Sequence, residues 1–253
     1  MADLVINQLS MQFGGITALD DLTMTIKSGQ ICGLIGPNGA GKTTLFNCVS
    51  RIYQPTSGSL MLDNRNLLNL PAHRIAAHGV ARTFQNLGLF PSLTFLENTM
   101  AGAHPRGRVG YLRAMTKFGV RREERNLRRD AYELLELLDL ETLAFEPAAK
   151  QPFGTLKRLE LARALAARPR LLLLDEPAGG LTHVEVDELS KMILRVRDQF
   201  GLTVLLVEHH MAMVMGISDQ VVAMNFGKKI AEGTPDEVRR HPDVVSAYLG
   251  STV

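Results

Sequence analysis

The sequence predicts an α/β fold, a mainly parallel sheet covered by helices, on three observations. Short apolar runs at Ile31–Ile35, Leu171–Asp175 and Thr203–Val207 alternate with longer helix-like stretches, the pattern of strands buried on both faces. The segment Gly36-Pro37-Asn38-Gly39-Ala40-Gly41-Lys42-Thr43 joins the first run to a helical stretch and fits G-x-x-x-x-G-K-[ST] in full. The run Leu171 to Leu174 ends in two adjacent carboxylates, Asp175 and Glu176.

Each element follows in order. Leu4–Phe13 and residues 22–26 read as alternating strands of an antiparallel pair. Ile31–Ile35 is a buried strand, residues 42–51 a helix, and residues 59–62 another short strand. Residues 71–78 predict a helix with Pro71 in its first turn, where a missing N–H is harmless. Beyond Gln85 the texture changes: residues 94–149 read mainly helical, with a Gly- and Arg-rich interruption at 104–120. Alternation resumes with a helix at 155–167, the strand Leu171–Asp175, a helix at 184–200 and the strand Thr203–Val207. Gln220–Asn225 and residues 228–231 are final strands around a turn at Phe226-Gly227. The chain holds no internal repeat and no low-complexity segment.

The two motifs describe a nucleotide triphosphatase. Glycines let the loop wrap closely, so that successive backbone N–H groups point at phosphate oxygens. The helix that opens near Lys42 adds its positive dipole end. In this pattern Lys42 reaches the outer phosphates and the Thr43 hydroxyl ligates Mg²⁺. Asp175, at the carboxyl end of a buried strand, suits a metal held through its water shell. Glu176 is the candidate to polarise the attacking water. The substrate class is ATP or GTP with Mg²⁺.

Composition bounds the rest. With 253 residues, 45% of them hydrophobic, the chain buries one good-sized core with a modest appendage. A net charge of +2 offers no electrostatic argument for nucleic acid, and none is expected as a partner. Cys32 and Cys48 read as small buried hydrophobes, so neither a disulfide nor a metal site is expected of them. No signal peptide is apparent, and no apolar run approaches the roughly eighteen residues that span a bilayer. The expectation is a soluble, cytoplasmic chain unless a partner tethers it.

Four further segments in fixed order carry a resemblance: Arg82-Thr83-Phe84-Gln85-Asn86, the helix-opening stretch from Phe153 to Leu165, Leu171 to Glu176, and Val207-Glu208-His209-His210-Met211. Over residues 4–249 the chain resembles the nucleotide-binding subunits of ABC transporters. Within them it is most similar to the ATP-binding subunits of branched-chain (hydrophobic) amino acid importers. That similarity rests on Asp175-Glu176-Pro177-Ala178-Gly179-Gly180-Leu181, the Glu208-His209 pair, the basic helical insertion, and the ending Ala231-Glu232-Gly233-Thr234-Pro235 through Ala247-Tyr248-Leu249-Gly250.

The resemblance implies a P-loop NTPase fold, a RecA-like core with an antiparallel β-subdomain, plus a helical ABC-specific insertion. It divides the chain into a nucleotide-binding core at 1–84 and 155–226, the insertion with its coupling surface and signature at 85–154, and a short C-terminal tail at 227–253. Phe13 takes the place of the aromatic that stacks on adenine. Gly36 to Thr44, with Pro37, Asn38, Gly39, Ala40, Gly41, Lys42 and Thr43 between, would bind ATP. Gln85 matches the glutamine that senses Mg²⁺ and water, and His209 the histidine that contacts the γ-phosphate and orients Glu176. The metal set is then Thr43, Gln85 and Asp175, and the catalytic set Glu176, His209 and Gln85.

Two positions depart from the commonest pattern of the superfamily. Its signature serine, which donates to the γ-phosphate of the nucleotide on the other subunit, is replaced by Pro152, which has no hydroxyl and no N–H. Phe153, Gly154 and Thr155 remain as the trans signature, with Thr155 expected to supply a hydroxyl or cap the helix. Thr182 stands where an aspartate is usual. The implied partners are transmembrane permease subunits, a second ATP-binding subunit (a copy or a paralogue), and indirectly an extracytoplasmic solute-binding protein. The implied location is the inner face of the cell membrane. A lipid or lipopolysaccharide exporter ATPase is the runner-up, and a soluble ABC ATPase without a permease the third reading. The basic stretch from Arg106 to Arg129 reads either as a solvated face or as a surface near lipid headgroups or the permease.

Overall fold

Two sheets organise the chain. The computed structural model describes residues 3–83, 87–104 and 120–249. Strands β1 (Leu4–Phe13), β2 (Ile16–Ile26), β4 (Ser57–Leu62) and β5 (Arg65–Asn66) form an antiparallel sheet in the order β2-β1-β4-β5. Strands β3 (Ile31–Ile35), β6 (Val80–Arg82), β7 (Leu171–Asp175), β8 (Thr203–Val207), β9 (Gln220–Asn225) and β10 (Lys228–Gly233) form the second, in the order β10-β9-β3-β8-β7-β6. All its neighbours are parallel except β9 and β10, which make a hairpin.

The side-chain period of two explains why the parallel strands are apolar throughout. On β7, Leu172 and Leu174 join one core cluster while Leu171 and Leu173 join another. The first cluster lies against helices α2 (Phe95–Gly102), α3 (Val120–Leu137), α4 (Phe153–Ala166) and α5 (His183–Phe200). The second is shared with the antiparallel sheet and helix α1 (Lys42–Val49), where Phe46 is fully buried. A third, smaller cluster packs α6 (Met211–Ile217), α7 (Pro235–Arg240) and α8 (Pro242–Leu249) on β9 and β10.

Several expectations hold and some do not. Residues 71–78 are not an α-helix. They form two 3₁₀ turns, Ala72–Arg74 and Ala76–His78, closed by i→i+3 bonds such as Arg74 N–H to the Pro71 carbonyl at 2.9 Å. The segment is too short to repay helix nucleation, and Gly79 in the left-handed region stops it. Strand β6 and helices α6 to α8 were not expected. The insertion is helical in its described parts, and the basic residues at 106–119 lie outside them. Both cysteines are buried and free, and burial pushes their thiols up, Cys48 to about 11.

Candidate functional site

Parallel pairing brings the chemistry to one edge. The phosphate loop follows β3, His209 follows β8, Asp175 and Glu176 end β7, and Thr83 follows β6. All four strands run the same way, so these residues gather at the carboxyl ends of the strands, where open α/β sheets bind ligands.

The loop has the shape its glycines allow. Gly36, Gly39 and Gly41 all take positive φ. A Cβ on Gly36 would run into the Met224 carbonyl, and one on Gly41 would stand 2.6 Å from the Ala18 carbonyl oxygen. Only glycine combines that backbone with that proximity. Ala40 is buried, its N–H closes a turn on the Pro37 carbonyl at 3.1 Å, and its own carbonyl accepts from Gly227 N–H at 3.0 Å. Lys42 opens α1 and folds back over the loop, donating to the carbonyls of Gly36 at 2.6 Å and Pro37 at 3.0 Å. Burial lowers its pKa, and the charge of the Glu176 carboxylate opposes that shift. Thr43 is exposed and Thr44 half-buried in the first turn of α1.

Register builds the carboxylate site. Asp175 pairs with Val207, and Glu176 N–H donates to the Val207 carbonyl at 2.8 Å. His209, two residues past Val207, then meets Glu176 across the strand ends, Nε2 to Oε1 at 3.2 Å. Because a carboxylate only accepts, this contact assigns the proton to Nε2. Glu176 itself adopts the left-handed backbone, φ 47°, a conformation that costs a non-glycine residue energy and aims the side chain out of the strand.

Behind this pair sits Glu208, whose role the sequence did not disclose. It is 3% exposed. Its Oε1 accepts from Ala178 N–H at 2.6 Å, and its Oε2 accepts from His209 N–H at 2.7 Å and His210 N–H at 2.9 Å. One carboxylate thereby ties the loop that follows Glu176 to the loop that carries His209. The available signal was an acid directly after a wholly apolar strand, where burial forces it to find donors.

Asp175 is 6% exposed, and the Arg82 guanidinium meets its Oδ2 at 2.7 Å. The Asp175 N–H donates to Thr83 Oγ1 at 3.3 Å. Arg82 also donates to Asn47 Oδ1 at 2.7 Å, and Asn47 lies one turn along α1 from Thr43, on the same face. Arg82 thus links Asp175 to the helix that Thr43 helps to open, and a hydroxyl and a carboxylate are oxygen donors of the hard kind that suits Mg²⁺. Gln85, the third expected metal residue, lies outside the described residues.

Phe13, 40% exposed at the end of β1, meets Tyr53 edge to face at 5.1 Å between ring centroids. Tyr53 was not foreseen as its support. At the signature, α4 begins at Phe153 with Pro152 as N-cap, and its first backbone bond runs from Leu156 N–H to the Pro152 carbonyl at 3.0 Å. The N–H groups of Phe153, Gly154 and Thr155 therefore have no partner within the helix. Thr155 is buried at the third helical position and Pro152 is the N-cap, so of its two expected roles capping is corrected. Gly154 packs closely on the capping box of α5: a Cβ there would lie 2.5 Å from Glu185 Oε1, so that carboxylate would have to shift. Thr182 also finds its reason, as the N-cap of α5 in a reciprocal capping box with Glu185.

Comparison with known proteins adds the following. Residues 19–179 match the ABC transporter family, and residues 228–253 match a family described as branched-chain amino acid ATP-binding cassette transporter. The chain is 43% identical over 248 residues to the high-affinity branched-chain amino acid transport ATP-binding protein BraF of Pseudomonas aeruginosa, spanning 98% of this chain and 97% of that protein. It is 33% identical over 250 residues to the lipopolysaccharide export system ATP-binding protein LptB of Escherichia coli K12, spanning 99% and 98%. Among solved structures, the ADP conformation of MJ1267, an ATP-binding cassette of an ABC transporter, superposes with a TM-score of 0.86 at 28% identity and covers 99% of each chain.

Proposed function

The chain belongs to the ABC transporter ATP-binding family, and on that premise we propose that it is the ATP-hydrolysing motor of a binding-protein-dependent importer for branched-chain or other hydrophobic amino acids, or a related small organic solute. The observation that carries the importer reading is the match of residues 228–253 to the branched-chain transporter ending. The exporter reading has the weaker support of 33% identity to LptB against 43% to BraF.

In this reading residues 36–44 cradle the phosphates with Lys42 moving from its loop carbonyls to the outer phosphates, and Phe13 stacks on the adenine. Thr43 and Asp175 hold Mg²⁺, which when bound neutralises charge on the phosphate oxygens. Gln85 completes the set. Glu176 accepts a hydrogen bond from the attacking water and turns its lone pair toward the γ-phosphorus. His209 fixes the Glu176 carboxylate through Nε2, a contact that needs no substrate to form. A second ATP-binding subunit presents the free N–H groups of Phe153, Gly154 and Thr155 to the same γ-phosphate, so the helix terminus does what the missing serine does elsewhere. Closure and opening of that dimer couple to transport, and a near-complete switch requires ATP to favour the closed state by about 5.5 kcal/mol.

The core comprises residues 1–84 and 155–226, the helical insertion 85–154, and the tail 227–253. A permease docks at their junction, where a cavity of about 430 Å³ is lined by Ile75, Ala81, Gly88, Ala101, His104 and Arg163. No helix among the described residues is long and apolar enough to cross a membrane, so docking at the inner face rests on that permease. The solute-binding protein takes part only through it. The test is co-expression with the neighbouring permease genes, followed by membrane purification and ATPase assay. Co-purification with stimulated turnover is expected; a chain that ignores every permease yet responds to ribosomes or nucleic acid contradicts the reading.

A further inference from the structure

Asp175 is not a bare carboxylate waiting for a metal. Arg82 Nη2 meets its Oδ2 at 2.7 Å, and both side chains are more than nine-tenths buried, 9% and 8% exposed. The other end of the same guanidinium donates from Nη1 to Asn47 Oδ1 at 2.7 Å and Ser50 Oγ at 3.1 Å, and its face lies 5.4 Å from the centre of the Phe46 ring. Two residues of α1 and its C-cap Ser50 thus hold the cation in place, and its flat fork is aimed at one oxygen of Asp175. The Lys42 ammonium is engaged separately, by the carbonyls of Gly36 and Pro37 in the phosphate loop.

We propose that Arg82 is the resident counter-ion of Asp175 and makes binding of a divalent cation there conditional on the phosphates of a nucleotide. The proposal rests on the reading of Asp175 as the metal residue. A cation approaching Asp175 alone meets a carboxylate whose charge is already compensated in a site of low dielectric. Only the oxygens of ATP supply the further negative charge and the further ligands that tip the balance. Oδ2 stays with Arg82, so Oδ1 would be the oxygen left to serve a cation. The consequence is order: the metal enters with the nucleotide, and cellular Mg²⁺ does not occupy the site in advance. Because Asn47 lies on α1 and Ser50 caps its end, the same guanidinium also keeps the Thr43 helix in register with Asp175. That makes Arg82 a positioning residue rather than a catalytic one.

The test is Mn²⁺ binding to purified protein, read without nucleotide by the loss of the free-ion EPR signal and with ATP as Mn²⁺ retained on the protein after the free Mn²⁺–ATP complex is filtered away. Wild type without nucleotide is expected to bind Mn²⁺ more weakly than Arg82→Met by on the order of tenfold or more. Arg82→Lys keeps the charge and stays weak. The double variant Arg82→Met with Asp175→Asn loses the gain. A purely structural role predicts the opposite sign, since a disturbed site binds the cation less well. The arms separate the two claims. Nucleotide-free wild type that binds Mn²⁺ as tightly as its ATP complex does, in an Asp175-dependent way, overturns the counter-ion while leaving the metal residue in place. Mn²⁺ bound to the ATP complex equally well in Asp175→Asn overturns the reading beneath it. If Arg82→Met does not fold, Arg82→Gln removes the same charge with a polar side chain and is expected to bind Mn²⁺ more tightly than Arg82→Lys; equal binding overturns the counter-ion.

Discussion

Replacing Glu208 with glutamine changes one atom and, on this structure, disturbs two loops. The carboxylate is 3% exposed and accepts three backbone N–H bonds, at 2.6, 2.7 and 2.9 Å. Glutamine has one acceptor oxygen and an NH₂ that only donates. Turned one way, the NH₂ faces Ala178 N–H; turned the other, it faces both His209 and His210 N–H. The cheaper placement loses the Ala178 bond, sets donor against donor, and weakens the other two from charge-assisted to neutral. At 1–3 kcal/mol for a buried donor left unpaired, and more for charged partners, Glu208→Gln is expected to cost about 3 kcal/mol. Ala178 lies two residues from Glu176, and His209 is the partner of Glu176 at 3.2 Å, so saturating turnover falls about tenfold as the pair loosens. Urea unfolding and phosphate release at saturating ATP measure both. A variant within about 0.5 kcal/mol of wild type, with unchanged turnover, would refute the reasoning.

Other consequences are more local. Asn98 is fully buried, accepts from Phe90 N–H at 2.9 Å and donates to the carbonyls of Phe90, Leu93 and Thr94 at 3.0, 3.1 and 3.0 Å. Asn98→Leu leaves Phe90 N–H unpaired, while the carbonyls of Phe90, Leu93 and Thr94 keep the N–H groups of Leu93, Ala148 and Asn98; it should cost about 1–3 kcal/mol and lower the melting midpoint by roughly 2–12 °C, and an unchanged melt contradicts the bonds. A Cβ on Gly102 would run into the Arg163 carbonyl, so Gly102→Ala should push α2 off α4 at about 1–3 kcal/mol, seen as a lower urea midpoint with ATP affinity retained. Glu97, Glu185 and Glu237 have pKa values lowered from 4.5, chiefly by backbone N–H bonds from Thr94, Thr182 and Thr234 and then by their hydroxyls. Folded values below unfolded ones mean stability that is present above pH 4.5 and lost as pH falls through the depressed values. Changing the three glutamates to glutamine removes the titrating group and should flatten that acid limb, and an unaltered pH profile of stability speaks against the caps.

The phosphate loop and the Leu171–Glu176 strand were legible because each is contiguous, and its chemistry follows from adjacent residues. Glu208 and Arg82 were not legible in the same way. Their partners come from two or three elements, and only strand register decides that Ala178 reaches Glu208 or Asn47 reaches Arg82. Strand β6 has three residues, fewer than any periodicity needs, and Leu171 to Leu173 give it meaning by pairing. Helix α7 could have been read, since Thr234-Pro235-Asp236-Glu237 is a capping box with proline in the first turn. The same Thr-x-x-Glu spacing at Thr182 explains a residue that looked like a departure from a catalytic pattern and is the start of a helix. Pro152 is the converse case: its missing N–H matters little at an N-cap, so the signature keeps its helix terminus without the serine.

The central claim is that Glu176, held by His209, activates the water that cleaves ATP. A single-turnover assay with radiolabelled ATP on wild type and Glu176→Gln, with nucleotide binding measured in the same samples, tests it most directly. The account predicts retained binding, a cleavage rate down by about 10²–10⁴-fold, and ATP accumulating in a trapped dimer. Cleavage at the wild-type rate in Glu176→Gln would contradict it.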